Sequence, residues 1–189
     1  MPRGLRRFHE SGQSHFVTFS CYRRKASFKE PAIYNLFPVC LEATRRRFRM
    51  RVYGYVVMPE HVHLLVSEPN EGNLSQAIHH LKLSFSKRVP QVRALPLGAN
   101  LGEKQPFWQK RYYDRNVKDY REFTVKLRYL HRNPVKRGLV RNPMDWPWSS
   151  FRHYALREVG VVEIESQWTA TDHEQESPGA PARIFLRPG

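Results

Sequence analysis

The spacing of apolar and polar positions predicts strands and helices in alternation along most of the chain. Every-second-residue patterns rich in β-branched and aromatic side chains are typical of strands. They occur at residues 15–22, 51–58 and 61–67. Apolar residues spaced three and four apart are typical of amphipathic helices. These patterns occur at residues 31–48, 74–89 and 120–132.

The order of these elements indicates the fold class. Strand, helix, a two-stranded hairpin and two further helices predict an α+β domain, with a ferredoxin-like antiparallel sheet and helices on one face. Asp119, followed three residues later by Glu122, marks the start of the last helix. Pro134 disfavours helical geometry at Asn133, so this helix is expected to end there. Residues 91–106 contain proline and glycine without periodicity and are predicted to be a loop.

Length and composition predict one domain followed by a tail. A chain of 189 residues is long enough for a single core. We place the domain at residues 1–155 and expect residues 156–189, which become polar with proline and glycine, to be poorly ordered. No secretory signal or apolar run of the roughly 18 residues needed for a membrane span is visible. Two cysteines without CxxC spacing argue against a disulfide scaffold or a zinc knuckle, and a cytoplasmic location is expected.

The charge balance predicts a polyanionic partner. Lysine and arginine number 32 against 17 acidic residues, a formal net charge of +15. Such an excess favours binding to phosphate backbones. The alternative is a solvated basic surface that keeps the protein soluble. The charge is uneven, because residues 158–189 hold six acidic and only two basic residues. The predicted domain is therefore the basic part.

Two histidines on the third predicted strand are candidate metal ligands. His61 and His63 are two residues apart, so in a strand both side chains leave the same face, while Val62 and Leu64 leave the other. Two imidazoles held in this way form half of a divalent metal site. The alternative is a pair of ordinary strand histidines, since a chain with nine histidines can contain His-x-His by chance.

A tyrosine and an asparagine on the last predicted helix are candidates for a nucleophile and a ligand. Tyr129 and Asn133 are four residues apart and share a helical face. That face differs from the apolar stripe that includes Phe123 and Leu130. An amide oxygen next to a tyrosine can serve a hard cation while the phenol attacks. The alternative is an exposed tyrosine and an asparagine that merely ends the helix.

Two basic clusters are candidate DNA contacts. The first combines aromatic rings on which bases could stack with cations for the backbone. Its members are Lys110, Arg111, Tyr112, Tyr113 and Arg115, of which we name all but Tyr113 as DNA contacts. Beside it, Phe107 and Trp108 could equally be core anchors. The second cluster offers phosphate contacts, with a solvated terminus as its alternative. Its members are Arg6, Arg7, Arg23 and Arg24.

Five blocks of sequence, taken in order, resemble the single-tyrosine transposases, the family that includes the REP-associated tyrosine transposases. The segment MPEHVHLLV from Met58 resembles the family's His-hydrophobic-His core, and YLHRNP from Tyr129 resembles its tyrosine helix. The three flanking matches are FWQ from Phe107, YDR from Tyr113 and WPWSS from Trp146. The resemblance extends over residues 10–155.

This resemblance implies an activity and assigns roles. It implies His61, His63 and Asn133 as ligands of Mg²⁺ or Mn²⁺, and Tyr129 as the nucleophile that forms a 5′-phosphotyrosine. The implied activity is that of a DNA transposase that nicks and transfers strands of single-stranded DNA folded into hairpins, as a monomer or a homodimer. One alternative is a domesticated protein that binds hairpins without cleaving them. Another is a metallohydrolase that activates water and does not need Tyr129.

Overall fold

The computed structural model describes residues 14–92 and 106–169. The strands are β1 (Ser14–Ser20), β2 (Val52–Val57), β3 (His61–Ser67) and β4 (Tyr113–Val117). The helices are α1 (Pro31–Phe48), α2 (Leu74–Val92), α3 (Tyr120–Lys136) and α4 (Phe151–Leu156). Short 3₁₀ turns occupy Tyr22–Arg24 and Pro143–Asp145. Among the described residues, no helix is both long and apolar enough to cross a membrane.

The four strands form one antiparallel sheet in the order β2-β3-β1-β4. The first six elements run β1-α1-β2-β3-α2-β4, which is the ferredoxin-like arrangement. The predicted α+β class and antiparallel sheet are therefore confirmed. The predicted bounds of α1 and of β3 agree with the structure, because both segments have strong periodicity and clear end signals.

The two faces of the sheet have different coverings. On one face, Phe19 of β1 contacts Phe37 of α1, which in turn contacts Phe85 of α2, and we call this the α1/α2 face. On the other, Phe16 of β1 contacts Tyr129 of α3, and we call this the α3 face. The prediction of helices on one face holds for α1 and α2 but is wrong for α3, because its apolar stripe packs against the far side of β2 and β3.

A glycine permits this close approach of α3 to the sheet. A Cβ atom added to Gly54 on β2 would lie 2.7 Å from Leu127 Cδ1 and 3.2 Å from Ser150 Oγ. Neither distance leaves room for a methyl group without a shift of the neighbouring side chain. The absence of a side chain at this position therefore lets α3 lie close to β2, next to the strand β3 that carries His61 and His63.

Helix α3 continues beyond its predicted end. It runs through Pro134 to Lys136, although proline disfavours helical geometry at the preceding residue. Asn133 and Pro134 are both buried, so their packing outweighs this local preference. The backbone N–H of Arg137 donates to the carbonyl of Asn133, and that of Leu139 donates to the carbonyl of Pro134, which completes the last turn. The start at Asp119 agrees with the prediction, since its carboxylate accepts a hydrogen bond from the backbone of Glu122 at 2.7 Å.

The described part of the expected tail packs against the domain. Val162 and Ile164 are buried in the core, and the backbone N–H of Glu165 donates to the carbonyl of Val52 at 2.8 Å. These contacts extend the edge of the sheet beyond β2. The expectation of poor order is therefore wrong for residues 162–166, where the side chains of Val162 and Ile164 cover that edge. Residues 170–189 lie outside the described residues.

Candidate functional site

His61 and His63 lie side by side on the α3 face of β3. Their Nε2 atoms are 3.0 Å apart, and each ring is held through its other nitrogen. The Nδ1 atom of His63 is 2.7 Å from the hydroxyl of Thr18 on β1, and the Nδ1 atom of His61 is 3.1 Å from the carboxylate of Glu60. Partners of this kind fix the orientation of a histidine ligand and determine which nitrogen is free.

The hydrogen bonds at Nδ1 of each ring favour a free lone pair on Nε2 of both His61 and His63, where the two rings face each other. A carboxylate only accepts hydrogen bonds, so neutral His61 carries its proton on Nδ1 and has a lone pair on Nε2. The hydroxyl of Thr18 can accept from Nδ1 of His63, which leaves a second lone pair on that ring's Nε2. Two ligands in adjacent octahedral positions, each about 2.1 Å from a small divalent cation, lie about 3 Å apart. The observed separation of 3.0 Å fits such a cation.

The surroundings of the pair favour neutral imidazoles, the form in which histidine binds a metal. Burial lowers the pKa of His63 to about 3, and the positive charge of Lys126 adds to this effect. Burial also lowers the pKa of His61, with a contribution from the guanidinium of Arg137 that opposes the effect of Glu60. Both rings are therefore available as ligands near neutral pH.

Tyr129 lies directly beside this pair. Its ring centroid is 5.4 Å from that of His63 and 5.9 Å from that of Phe16, with edge-to-face geometry in both contacts. The side chain is 40% exposed, so the phenol is open to a large substrate. The Nζ atom of Lys136 lies 5.3 Å from the centroid of the Tyr129 ring, and that of Lys126 lies 4.9 Å from the Phe16 ring. The predicted nucleophile thus lies between cations and next to the predicted ligands.

Asn133 lies one helical turn beyond Tyr129 on α3. Asn133 is buried, with only 5% of its surface exposed. Another turn further, the guanidinium of Arg137 donates to Glu60 at 2.6 Å, and the same carboxylate oxygen contacts His61. Along α3, Asn133 therefore lies between Tyr129, which contacts His63, and Arg137, which is linked to His61 through Glu60. In the described ranges 14–92 and 106–169, no third His, Cys, Asp or Glu joins the pair, so an amide ligand such as Asn133 remains the prediction.

The predicted DNA contacts divide into exposed cations and packed residues. The exposed cations are Arg23, Arg24, Lys110, Arg111 and Arg115. Arg115 forms an ion pair with Glu122 at 2.8 Å, which ties β4 to α3. Tyr112 is half-buried and packs against the core, which removes its ring as an open stacking surface. Arg6 and Arg7 lie outside the described residues.

Phe107 and Trp108, for which the sequence left two roles open, are core anchors. Trp108 is buried and its ring contacts Phe19 of β1 at 4.9 Å between centroids. Phe107 packs against Phe85 of α2 at 4.9 Å. Together they fasten the chain before β4 to the α1/α2 face of the sheet.

Three further residues lie near the site, of which Thr18 and Arg137 were not found from the sequence and Tyr113 was noted only as part of the basic and aromatic cluster. Thr18 orients His63, Arg137 connects α3 to Glu60, and Tyr113 extends from β4 next to Thr18. Each lies on a different element from the histidines, and only strand register or helix docking brings it close. The sequence weighed Tyr112 and Tyr113 together as stacking rings and named Tyr112 as the DNA contact, because local pattern does not show which ring is exposed.

Comparisons with known proteins identify the family and agree with the fold. The family model described as "Transposase IS200 like" matches residues 9–133. A protein of Haemophilus influenzae assigned to the REP-associated tyrosine transposases is 28% identical over 156 residues, which is 82% of this chain and 88% of that protein. The REP-associated tyrosine transposase of Escherichia coli K12 is 28% identical over 171 residues, which is 88% of this chain and 92% of that protein.

A solved structure shows the same fold. The structure of a REP-associated tyrosine transposase bound to a REP hairpin matches with a TM-score of 0.66 at 21% identity, over 87% of this chain and 93% of that one. The family model covers about two thirds of the present chain, including both histidines, Tyr129 and Asn133. The chain therefore belongs to the IS200-like transposase family, a class of DNA-processing enzymes, as its sequence blocks indicated.

Proposed function

We propose that this protein is a transposase that cleaves and rejoins single-stranded DNA through a covalent bond to Tyr129. The observation that carries the proposal is the contact between the exposed ring of Tyr129 and the ring of His63, whose Nε2 faces that of His61. This contact supports the proposal because it holds an accessible phenol beside two imidazoles that could bind a cation. A divalent cation bound there would supply Lewis-acid polarisation of the scissile phosphate.

The step is a transesterification that needs no external energy source. The phenolic oxygen of Tyr129 attacks phosphorus and loses its proton, and the bond from phosphorus to the 3′-oxygen breaks. The departing oxygen takes up a proton and becomes a free 3′-OH, while the 5′ end stays attached to the tyrosine. Attack by another 3′-OH on this link reverses the chemistry and joins the strand to a new end.

The chain's own residues position the reacting groups. Thr18 and Glu60 fix the two imidazoles, and Phe16 supports the ring of Tyr129. Lys126 and Lys136 lie on either side of Tyr129 along α3, where their charges favour a phosphate and a developing phenolate. Asn133 is the proposed third ligand, through its amide oxygen.

The proposed substrate is DNA with a hairpin next to a single-stranded segment. The related protein of the matching fold was solved with a REP hairpin. The present chain has a net charge of +15 and exposed arginines at residues 23 and 24, in the turn that follows β1. Arg24 is close enough to lower the pKa of His61, so its charge acts within the site. These features support binding of a polyanion at the α3 face.

Covalent capture tests the proposal. The protein is incubated with hairpin-rich circular single-stranded DNA and Mn²⁺ or Mg²⁺, and the products are separated on a denaturing gel. We expect a slowly migrating protein–DNA adduct that is lost with a chelator and with Tyr129→Phe. Tyr120→Phe is the matched control, because Tyr120 lies on the same helix and stacks on Phe123 instead of His63.

The other outcomes separate the alternatives. Nicking that survives Tyr129→Phe would contradict the tyrosine mechanism and favour hydrolysis by activated water. Binding without adduct or nicking on hairpins taken from beside the protein's own gene would favour the domesticated binder.

A further inference from the structure

Part of the α3 face of the sheet is left uncovered beside the histidines. Helix α3 packs mainly against β2 and β3, while β1 and the edge strand β4 extend beyond it. Thr18 pairs with His63 on one side and with Tyr113 on the other, so the three residues form one row across the sheet. Directly paired residues in antiparallel strands project from the same face. Tyr113 therefore shares the face of His63.

The row places small side chains between two larger groups, and we call this strip the trough. Its floor consists of the small side chains of Thr18 and Ser20, which are partly exposed, and the histidine pair forms one wall. Tyr113, 43% exposed, forms the other wall. Two strand spacings separate the backbone of Tyr113 from that of His63, or about 10 Å. This is a distance that a nucleotide can bridge between its phosphate and its base.

We propose that this trough is a subsite for the nucleobase next to the scissile phosphate, with Tyr113 as its stacking platform. The inference rests on the proposed function, since it takes the histidine pair as the place of the phosphate. An aromatic ring with exposed cations nearby is a recurrent way of holding single-stranded nucleic acid. Lys110 and Arg111 supply exposed cations just before Tyr113. The hydroxyls of Thr18 and Ser20 can meet the polar edge of a base.

The platform is held in place by the chain that leads into β4. The Nζ atom of Lys82 on α2 donates to the carbonyls of Gln109 at 2.5 Å and Lys110 at 3.1 Å. The backbone N–H of Gln109 donates to the carbonyl of Ser20 at 2.9 Å. These bonds fix the segment before Tyr113 against β1. A ring that is already in place loses little conformational entropy when a base stacks on it.

The adjacent tyrosine makes a different contribution. Tyr112 is half-buried and packs against the core. Tyr113 is the first residue of β4, where its pairing with Thr18 fixes its face, and its residue is 43% exposed. Of the two rings for which the sequence suggested stacking, Tyr113 is therefore the one that the structure leaves open at the trough.

Binding without cleavage tests the subsite. Fluorescence anisotropy of a labelled oligothymidylate is measured in chelator and low salt, for the wild type and for Tyr113→Ala, Tyr113→Leu and Tyr113→Phe. We expect Kd to rise about 5- to 150-fold for the alanine and leucine variants and to change less than about twofold for phenylalanine. Tyr120→Ala is the control, because its residue is similarly exposed at 47% but lies at the start of α3. Its Kd should stay within about twofold of the wild type.

A second measurement locates the base. Abasic residues are placed one at a time along the single-stranded segment of a hairpin oligonucleotide, next to the site of adduct formation. At one position the missing base should weaken binding to the wild type and not to Tyr113→Ala, because the two changes remove the same contact. Wild-type affinity in the folded Tyr113→Leu variant, or equal losses at every abasic position, would overturn the subsite.

This test is separate from that of the proposed function. Binding in chelator does not need the reaction, so it can be repeated in the Tyr129→Phe background. Loss of affinity on Tyr113→Ala together with adducts that survive Tyr129→Phe would refute the tyrosine mechanism alone. Normal affinity of Tyr113→Leu with adducts that depend on Tyr129 would refute the subsite alone.

Discussion

Each face of the sheet buries a histidine, and the two have opposite electrostatic surroundings. On the α1/α2 face, His15 of β1 contacts Asp114 at 2.9 Å through Nδ1 and Glu68 at 3.3 Å through Nε2. Burial by itself lowers the pKa of His15, but the two carboxylates outweigh it and raise that pKa above its usual value. On the α3 face, His63 meets a hydroxyl and another imidazole, and burial lowers its pKa to about 3.

The difference shows that the partners of a buried histidine decide its role. Acceptors on both nitrogens of His15 favour a charged ring that is sealed inside the fold. His63 has one nitrogen engaged by Thr18 and the other directed at His61, so its neutral form offers a lone pair. The first arrangement serves stability and the second suits ligand binding. Variants at the two sites should therefore separate stability from chemistry.

Removing a ligand on the α3 face should give the largest effect on activity. His63→Ala is expected to reduce the rate of adduct formation by at least about 10³-fold, because Lewis-acid polarisation is worth several kcal/mol. The free energy of unfolding of the metal-free protein should change far less than the activity. Adduct rates and urea unfolding, measured on the same preparation, check both expectations. An active variant would mean that His63 is not a ligand.

Removing the buried charge of His15 on the α1/α2 face should have the opposite consequence, a large loss of stability rather than a direct loss of activity. His15→Leu leaves Asp114 buried without its cation, and Asp114 Oδ2 already has no hydrogen-bond partner within the part of the chain that the structure describes. Breaking such a pair costs about 3–5 kcal/mol of unfolding free energy. Urea unfolding measures the loss. The double variant His15→Leu/Asp114→Leu should recover part of it, and no recovery would contradict the ion-pair explanation.

Loss of the orienting hydroxyl should have an intermediate effect. Thr18→Val keeps the shape of the side chain but removes the partner of His63 Nδ1, so Mn²⁺ affinity should fall about 10- to 100-fold. Titration of Mn²⁺ followed by electron paramagnetic resonance gives this affinity without any substrate. Thr18→Ser retains a hydroxyl and should bind as the wild type does. Equal affinity in the valine variant would remove Thr18 from the site.

The pH dependence of stability should distinguish His15 from ordinary histidines. Because its pKa is raised in the folded protein, His15 holds a proton that the unfolded chain releases above its ordinary value of about 6.5. Its contribution is therefore complete below pH 6.5 and is lost as pH rises through the folded pKa. The slope for one proton is at most about 1.4 kcal/mol per pH unit. Urea unfolding should show this alkaline loss in the wild type and not in His15→Leu.

Removing the ion pair between Arg137, at the end of α3, and Glu60 should have the smallest effect on the rate of adduct formation. Arg137 is more than half exposed, and exposed ion pairs contribute about 0.2–1 kcal/mol. Arg137→Ala should slow adduct formation about two- to fivefold through a less firmly held α3, and Arg137→Lys should be closer to the wild type. An unchanged rate would show that the packing of α3 alone is sufficient.

Local sequence patterns determined much of this protein. The alternation of His61 and His63 with Val62 and Leu64 predicts both a strand and its two faces, because side chains leave a strand alternately. The strong helical periodicity of residues 31–48 likewise predicts α1 with its observed bounds. Tyr129 could be singled out because it lies off the apolar stripe of its own helix. These features depend on neighbours a few residues apart.

Only the tertiary structure decided the rest, because it depends on contacts between distant segments. β4 has a weak pattern, and its buried Asp114 is acceptable only beside His15 of another strand. Helix α3 passes Pro134 and packs against part of the second face because packing outweighs a local preference. Thr18 and Tyr113 join the site through strand register, which the periodicity of a single strand cannot specify. The sequence by itself thus determined which groups are candidates for the chemistry, and long-range packing decided which side chains surround them.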